Sequence, residues 1–170
     1  MSYNNNNDEF IVYENHVAFW GSEFSNFYKC NFTYLGIKFS SSEQAFMYEK
    51  ALYFKDKETA ALILEAKTPK EAKKLGRQVR GFDSDEWSEV CEDIMYNVVL
   101  HKFIQNDKLQ KLITREDLLD KTFVEGSPYD GIWGVKMAWN NPKIDDESNW
   151  EGENLLGKVL GRVRDYLLRV

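Results

Sequence analysis

Ten residues, Glu125-Gly126-Ser127-Pro128-Tyr129-Asp130-Gly131-Ile132-Trp133-Gly134, hold two carboxylates, an indole, a proline and three glycines. Pro128 fixes a turn and removes a backbone donor, while glycine lets the backbone bend and approach a ligand. Asp130 and Glu125 remain as acids, and Trp133 as a flat aromatic surface, on a stiff, bent stretch. That is the composition of a site; a surface turn whose Trp plugs a core edge has the same composition. The second arrangement is Glu43 with Lys50. On a helix, residues seven apart share one face, two turns apart, and here Phe46 and Met47 lie between them. Glu43 then sits in the first turn, where the helix dipole favours its charge. An acid and an amine separated by apolar groups line one wall of a pocket and suit acid–base or nucleophilic chemistry. The competing reading makes Glu43 a helix cap and Lys50 a solvated lysine.

A third group is basic: Lys70, Lys73, Lys74, Arg77 and Arg80. The spacing puts Lys73, Arg77 and Arg80 on one helical face. In an acidic protein this is the natural seat for a phosphate, with arginine supplying a bidentate grip; the alternative is a solvated helix face. The aromatic residues Trp20, Phe27, Tyr48, Trp87, Trp133 and Trp139 offer stacking surfaces for a planar heterocycle. Trp87 lies on the strongest apolar face and reads as core, whereas Trp20 and Trp133 flank glycines and make better ligand contacts.

The elements that must position these groups follow from periodicity and caps. Phe10 to Val12 begins the structured part, after an Asn-rich stretch at residues 1–8 that reads as a disordered tail. His16 to Asn26 reads as a strand and loop, and Tyr28 to Phe32 with Tyr34 to Phe39 as a hairpin. Two capping boxes fit the next helix equally, Ser40 with Glu43 and Ser41 with Gln44; it runs to about Lys55. Further helices are predicted over Lys57 to Ala66, from Thr68-Pro69 to Gly76 or Val79, over Ser84 to Phe103, and over Lys108 to Thr114. Lys121 to Val124 reads as a brief strand, and Asp145 to Ser148 as a polar loop. Asn154 to Leu168 is a final helix with Asn154 as N-cap, or with its amide free for a ligand. The sum is an α+β domain, mainly α, with a small N-terminal sheet and no internal linker, so residues 9–170 read as one domain.

Bulk properties narrow the classes. A chain of 170 residues with 43% apolar residues is long enough to bury a true core. A net charge of −6 gives no general attraction to nucleic acid or anionic membrane, so any phosphate site must be local. Five Trp, nine Tyr and eleven Phe exceed what a compact core needs, which leaves rings for a pocket. The two cysteines, Cys30 and Cys91, make neither a metal spacing nor a disulfide framework, and the two histidines are too scattered for zinc. No signal peptide or membrane span is visible, and a reducing cytoplasm is the simplest compartment.

Taken together the blocks resemble the NADAR or YbiA-like family. The matching stretches are Phe19-Trp20 with Ser25-Asn26-Phe27, then Ser42-Glu43-Gln44-Ala45-Phe46 with Tyr48 and Lys50-Ala51. Lys74-Leu75-Gly76-Arg77 with Val79, Trp87 and Lys102-Phe103 follow in order. The last are Glu125, Ser127-Pro128, Asp130, Trp133-Gly134, and Trp150 to Gly157 with Val163-Arg164. Many blocks in order make a specific match. Two positions depart from it: Lys136, where relatives often have a small residue, and Glu153, where a basic residue is common.

The resemblance implies a YbiA-like helical domain with N-glycosidase chemistry and no metal or cofactor. One branch cleaves the N-glycosidic bond of phosphorylated riboflavin-pathway intermediates; another removes ADP-ribose from guanine in nucleic acid. The implied partners are therefore an ADP-ribosyl or phosphoribosyl substrate, small molecule or nucleobase, with modified nucleic acid a further candidate. By similarity the catalytic positions are Glu43, Lys50 and Asp130. The substrate-binding positions are Trp20, Asn26, Phe27, Tyr48, Arg77, Trp87, Glu125, Trp133 and Asn154. Two mechanisms fit. In one, carboxylates stabilise an oxocarbenium ion and protonate the leaving nitrogen; in the other, Lys50 forms a Schiff base with ring-opened ribose. A non-catalytic ADP-ribose or nucleotide-binding module is the alternative function.

Overall fold

The computed structural model describes residues 10–170; the Asn-rich stretch lies outside the described residues. The chain forms two compact units, one of the residues up to Ser25 with Asp107–Val170, the other of Asn26–Asn106.

The first, the sheet unit, holds a three-stranded sheet in the order β1-β2-β5. Strands β1 (Phe10–Val12) and β2 (His16–Phe19) pair antiparallel, and β2 pairs parallel with β5 (Thr122–Glu125), with Phe19 opposite Glu125. A parallel pair needs a long crossover; here the chain leaves after Ser25 and returns at Asp107. Alternate residues face opposite sides of the sheet. Ala18 and Val124 pack with Val135 and Ile144. On the other side the rings of Phe10, Phe19 and Phe123 surround Phe24 at 5.0 to 5.7 Å. Helix α6 (Leu155–Arg169) packs on β5, and α5 (Asp107–Ile113) leads back into this unit. The predicted polar loop at Asp145 is drawn into two 3-10 turns, Pro142–Asp145 and Glu147–Asn149. Asn141 and Asp146 cap them, and Asp145 Oδ1 meets the buried His16 Nδ1 at 3.0 Å.

The second, the helical unit, opens with a hairpin of β3 (Phe32–Tyr34) and β4 (Ile37–Phe39). Its turn places Leu35 at φ 53° and Gly36 at φ 73°, the pair of positive φ values a tight hairpin turn demands. The predicted strand from Tyr28 is a correction: pairing starts at Phe32. Ser40 already leads into the helix that Ser41 caps, so β4 ends at Phe39. One further backbone bond, Cys30 N–H to Ser40 O at 3.0 Å, is all that residues 28–31 gain from the partner side. Helices α1 (Ser42–Tyr53), α2 (Lys57–Leu64) and α3 (Pro69–Gly76) pack on one another, and α4 (Ser84–Ile104) packs on α1 and β3. The buried Asp56 caps α2 and also accepts from the backbone N–H and Nη2 of Arg80. Those contacts hold the Asp56 carboxyl well below the usual carboxylate range. Arg80 is therefore structural. Of the face expected for Lys73, Arg77 and Arg80 only the first two share helical placement: Arg77 is the C-cap of α3, its N–H bonded to the Lys73 carbonyl, and Arg80 lies beyond the helix on Asp56. The fold is α+β and mainly α, as the sequence predicts. Among the described residues no helix is long and apolar enough to cross a membrane.

Candidate active site

In the helical unit the register of α1 decides what Glu43 is for. Ser41 Oγ accepts the N–H of Gln44 at 3.1 Å, and Gln44 Oε1 accepts both the N–H and the hydroxyl of Ser40. Of the two candidate caps Ser41 is the one used, with the return bond from Gln44 going to Ser40 instead of Ser41, so the Glu43 side chain is not the partner in the box. Asn26 clamps this helix start: its carbonyl accepts the N–H of Glu43 at 3.0 Å, and its Oδ1 accepts the Ser42 hydroxyl at 2.9 Å. Glu43 is held in the first turn with only 7% of its surface exposed.

Two turns on, Lys50 Nζ donates to the carbonyl of Gly76 at 2.9 Å and sits 4.4 Å from the centroid of Phe82. The carbonyl can reach it because α3 ends hard against α1. A Cβ on Gly76 would lie 2.0 Å from Met47 Sδ. Burial pushes the Lys50 ammonium below its ordinary 10.5, Arg77 adds to the push, and Glu43 opposes it. Lysine, acid and arginine therefore share one electrostatic neighbourhood. Phe46, between acid and amine on α1, stacks against Trp87 at 5.3 Å, and Phe54 and Tyr53 each lie 6.0 Å from the same indole. Phe54 also lies 5.3 Å from Phe82, the ring beside the amine, and burial there disfavours the charged ammonium. Phe82 is missed by the sequence reading; its one signal is the neighbouring Gly81 at φ 76°.

Tyr48 does not join the group. Five residues past Glu43, it points to another side of α1 and packs on Phe39 at 5.6 Å within the hairpin core. Phe27 is 40% exposed, with Lys73 Nζ 5.6 Å from its ring. Phe27 and Arg77 line one open cleft of about 550 Å³ together with Thr68, Lys70, Glu71, Lys73 and Lys74.

In the sheet unit, parallel pairing brings the C-terminal ends of β2 and β5 to one edge. Trp20, 41% exposed, follows β2 there, and Glu125 ends β5. The loop after Glu125 is tied down by its own side chains. Ser127 Oγ accepts the N–H groups of Tyr129 and Asp130, and Asp130 Oδ1 accepts those of Ile132 and Trp133 at 2.8 and 2.9 Å. One carboxylate oxygen thus shapes the turn, while Oδ2 accepts no hydrogen bond among the described residues. The carbonyls of Gly131, Ile132, Trp133 and Gly134 in turn accept the N–H groups of Glu153, Leu155, Leu156 and Asn154. They cap α6 from outside. Such close backbone docking needs Gly152, where a Cβ would lie 2.3 Å from the Gly134 carbonyl.

Asn154 holds the expected N-cap position of α6, but its side chain does not do the capping. The residue sits in the left-handed region at φ 54° and makes no side-chain cap. Its Oδ1 accepts the N–H of Glu125 at 3.1 Å and its Nδ2 donates to the carbonyl of Phe123 at 2.9 Å. The amide extends the β5 ladder and fixes Glu125; both its ends are engaged by backbone. Among the described residues, no three His, Cys, Asp or Glu side chains gather to hold a metal ion.

The helical unit thus offers a partly buried amine with an acid two turns away, and the sheet unit offers a tied-down loop whose carboxylate has one oxygen engaged and one open. Protein irg-1 of Caenorhabditis elegans is 39% identical over 133 residues, which are 77% of this chain and 62% of that protein. N-glycosidase R617 of Acanthamoeba polyphaga mimivirus is 37% identical over 147 residues, 84% of this chain and 85% of that protein. The NMR structure of the Escherichia coli protein YbiA superposes with a TM-score of 0.73 at 23% identity, covering 95% of this chain and 89% of that one. That likeness shows the fold. The NADAR domain family matches residues 15–168, a span that takes in Glu43, Lys50, Asp130 and Trp133, and the chain belongs to that family.

Proposed function

We propose that this protein is an N-glycosidase that cleaves the bond between the anomeric carbon of a phosphorylated ribose and an exocyclic amine of a base. The observation that carries the reading is Lys50, an amine whose burial holds its pKa down, two helical turns from Glu43 on one face of α1. The N-glycosidase name of the mimivirus relative supports it. Riboflavin-pathway phosphoribosylaminopyrimidines and ADP-ribosylated guanine are the two substrate types, with Arg77 on the phosphate and Trp133 and Trp20 on the base. We take residues 9–170 as one functional NADAR domain. Cys30 and Cys91 are not joined in a disulfide, which fits a cytoplasmic setting.

Glu43 donates its proton to the ring oxygen as the C1–O bond breaks, leaving a protonated imine between C1 and the base nitrogen. The neutral Lys50 amine adds to C1, a proton moves from the lysine nitrogen to the base nitrogen, and the C1–base bond breaks. The base leaves as its free amine. A protonated lysine imine remains; water hydrolyses it to the sugar aldehyde, the released proton returns to the Glu43 carboxylate, and the neutral Lys50 amine is regenerated. Asp130 is the other carboxylate assigned to the reaction; its open Oδ2 is suited to developing positive charge or to a water. Asn26, Glu125 and Asn154 act by positioning.

The test incubates the protein with an ADP-ribosylated guanine oligonucleotide and with a phosphoribosylaminopyrimidine, and follows the released base by chromatography. Borohydride added during turnover should fix a sugar mass on Lys50. Binding of both substrates with no base released would instead establish the non-catalytic module.

A further inference from the structure

Phe82 is 46% exposed, yet its position is fixed. Two residues earlier, Arg80 is fastened to Asp56: its backbone N–H donates to Oδ2 and its Nη2 to Oδ1, both at 2.9 Å. Asp56 is buried and is itself held by the N–H and the hydroxyl of Thr59. Gly81 then turns the chain at φ 76°, and the Phe82 ring stands T-shaped against Phe54 at 5.3 Å. A ring left half in water gains only part of its burial energy, so packing alone is a weak reason for so firm an anchorage. The anchorage does place the ring 4.4 Å from Lys50 Nζ, well inside the range of about 6 Å over which a cation is drawn to an aromatic face.

One ring acts on the amine in two opposing ways. As apolar bulk it keeps water away, which favours the neutral amine. As a π face it attracts the ammonium, which favours the charged form. The charged groups that bear on Lys50 are Glu43 on its own helix, which opposes neutralisation, and Arg77 at the end of α3, which assists it. The lysines of α3 line the cleft with Phe27 instead. In the segment that carries Phe82, Arg80 is taken by Asp56 and Glu58, and Asp83 Oδ1 accepts the N–H groups of Asp85 and Glu86. From α4 it is Trp87 that meets Phe46 and Phe54, with Tyr53 of α1 6.0 Å from the indole. We propose that Phe82 is a positioning residue for Lys50: the face of its ring holds the ammonium beside the Gly76 carbonyl and so governs its change to a nucleophilic amine. The consequence for the reaction rests on the N-glycosidase reading; the pairing of ring and amine does not.

The experiment is acetylation of the intact protein by trace acetic anhydride over a pH series, read at Lys50 by mass spectrometry of its peptide. Only the neutral amine is acetylated, so the labelling midpoint reports on the ammonium without any need of turnover. Phe82→Leu keeps apolar bulk and removes the π face. The acid dissociation constant of the Lys50 ammonium should then rise about three- to tenfold, so that labelling begins at lower pH. Phe82→Trp, whose face attracts a cation more strongly, should move the midpoint the other way. Loss of the fold cannot produce opposite signs from two bulky apolar replacements. Tyr166→Leu, which removes an exposed ring on α6, should leave the midpoint where it is. Where substrate is turned over, the acid limb of base release should follow the labelling midpoint in each variant. A midpoint unmoved in both Phe82 variants overturns the proposal. So does a midpoint raised by Phe82→Leu, which would make the ring a cover against water and nothing more. Shifted midpoints without base release from any substrate remove the enzyme reading and leave this one; base release with unmoved midpoints does the reverse.

Discussion

Helix α1 and the loop at residues 125–134 carry candidate chemistry in opposite ways. In α1 the helix itself supplies the geometry: the cap at Ser41 fixes the register, and Glu43, Phe46 and Lys50 then fall on one face. The N–H groups at its start are met by the Ser41 hydroxyl and the Asn26 carbonyl, so the cap is built without the carboxylate or the amine. In the loop the acid must first build its own platform. Asp130 Oδ1 holds two N–H groups, and the loop carbonyls hold the start of α6. A regular element displays side chains at little cost to them, whereas an irregular one draws its functional groups into its own architecture. The same substitution type should therefore separate activity from stability in α1 and entangle them in the loop.

The largest effect expected is in α1. Lys50→Ala and Glu43→Gln should each lower base release by about 10²–10⁴-fold, the usual worth of a positioned acid, base or nucleophile, with an unchanged far-UV spectrum. An active Lys50→Ala enzyme with no borohydride adduct would falsify the Schiff-base route.

Asp130 sharpens the contrast. Asp130→Asn keeps an oxygen for the Ile132 and Trp133 N–H groups and removes the charge at Oδ2. It should lower the rate by about 10²-fold with little change in melting temperature. Asp130→Ala should lose the rate and, in addition, about 1–2 kcal/mol of stability, the worth of a lost backbone cap. If both variants melt alike, the turn does not depend on the carboxylate.

Two glycines compare the units. Gly152→Ala drives a methyl into the Gly134 carbonyl and the Val135 backbone and should cost about 1–3 kcal/mol in urea unfolding. Gly76→Ala meets the far end of Met47, a side chain that moves. It should cost less stability, yet still displace the carbonyl that holds Lys50 and so lower the rate.

The smallest effect is on pH dependence. Because the folded Lys50 pKa lies below its ordinary 10.5, the unfolded chain binds more protons between the two values, and stability rises with pH across that window. The rate should rise with pH through the same lowered pKa, as the amine becomes neutral. Lys50→Ala should abolish the stability slope; a slope that survives belongs to another group.

Much of the helical unit was legible because its signals are local. Thr68-Pro69 starts α3, a run of apolar residues at helical spacing marks α4, and Ser41 caps α1, although only packing chose it over the equally good Ser40/Glu43 box. The parallel β2–β5 pair was not legible: Thr122 pairs beside a strand whose neighbour Asn15 lies 107 positions earlier, and no local pattern names such a partner. Asn154 misled for a related reason. Asn before an apolar helical run reads as an N-cap, but its amide is taken by a strand 29 and 31 positions away. Tyr48 shares a segment with Glu43 and Lys50 but not a face.

The sequence by itself determined which residues are available as acid, amine and arginine and, through helical periodicity, that Glu43 and Lys50 share a face, since that geometry needs only neighbours along the chain. Only the tertiary structure decided that burial beside Phe82 depresses the amine, which oxygen of Asp130 is left open, and that Arg80 is the arginine taken by Asp56. Desolvation and hydrogen-bond partnership belong to whatever packs against a group, and that is set by residues far away in the chain.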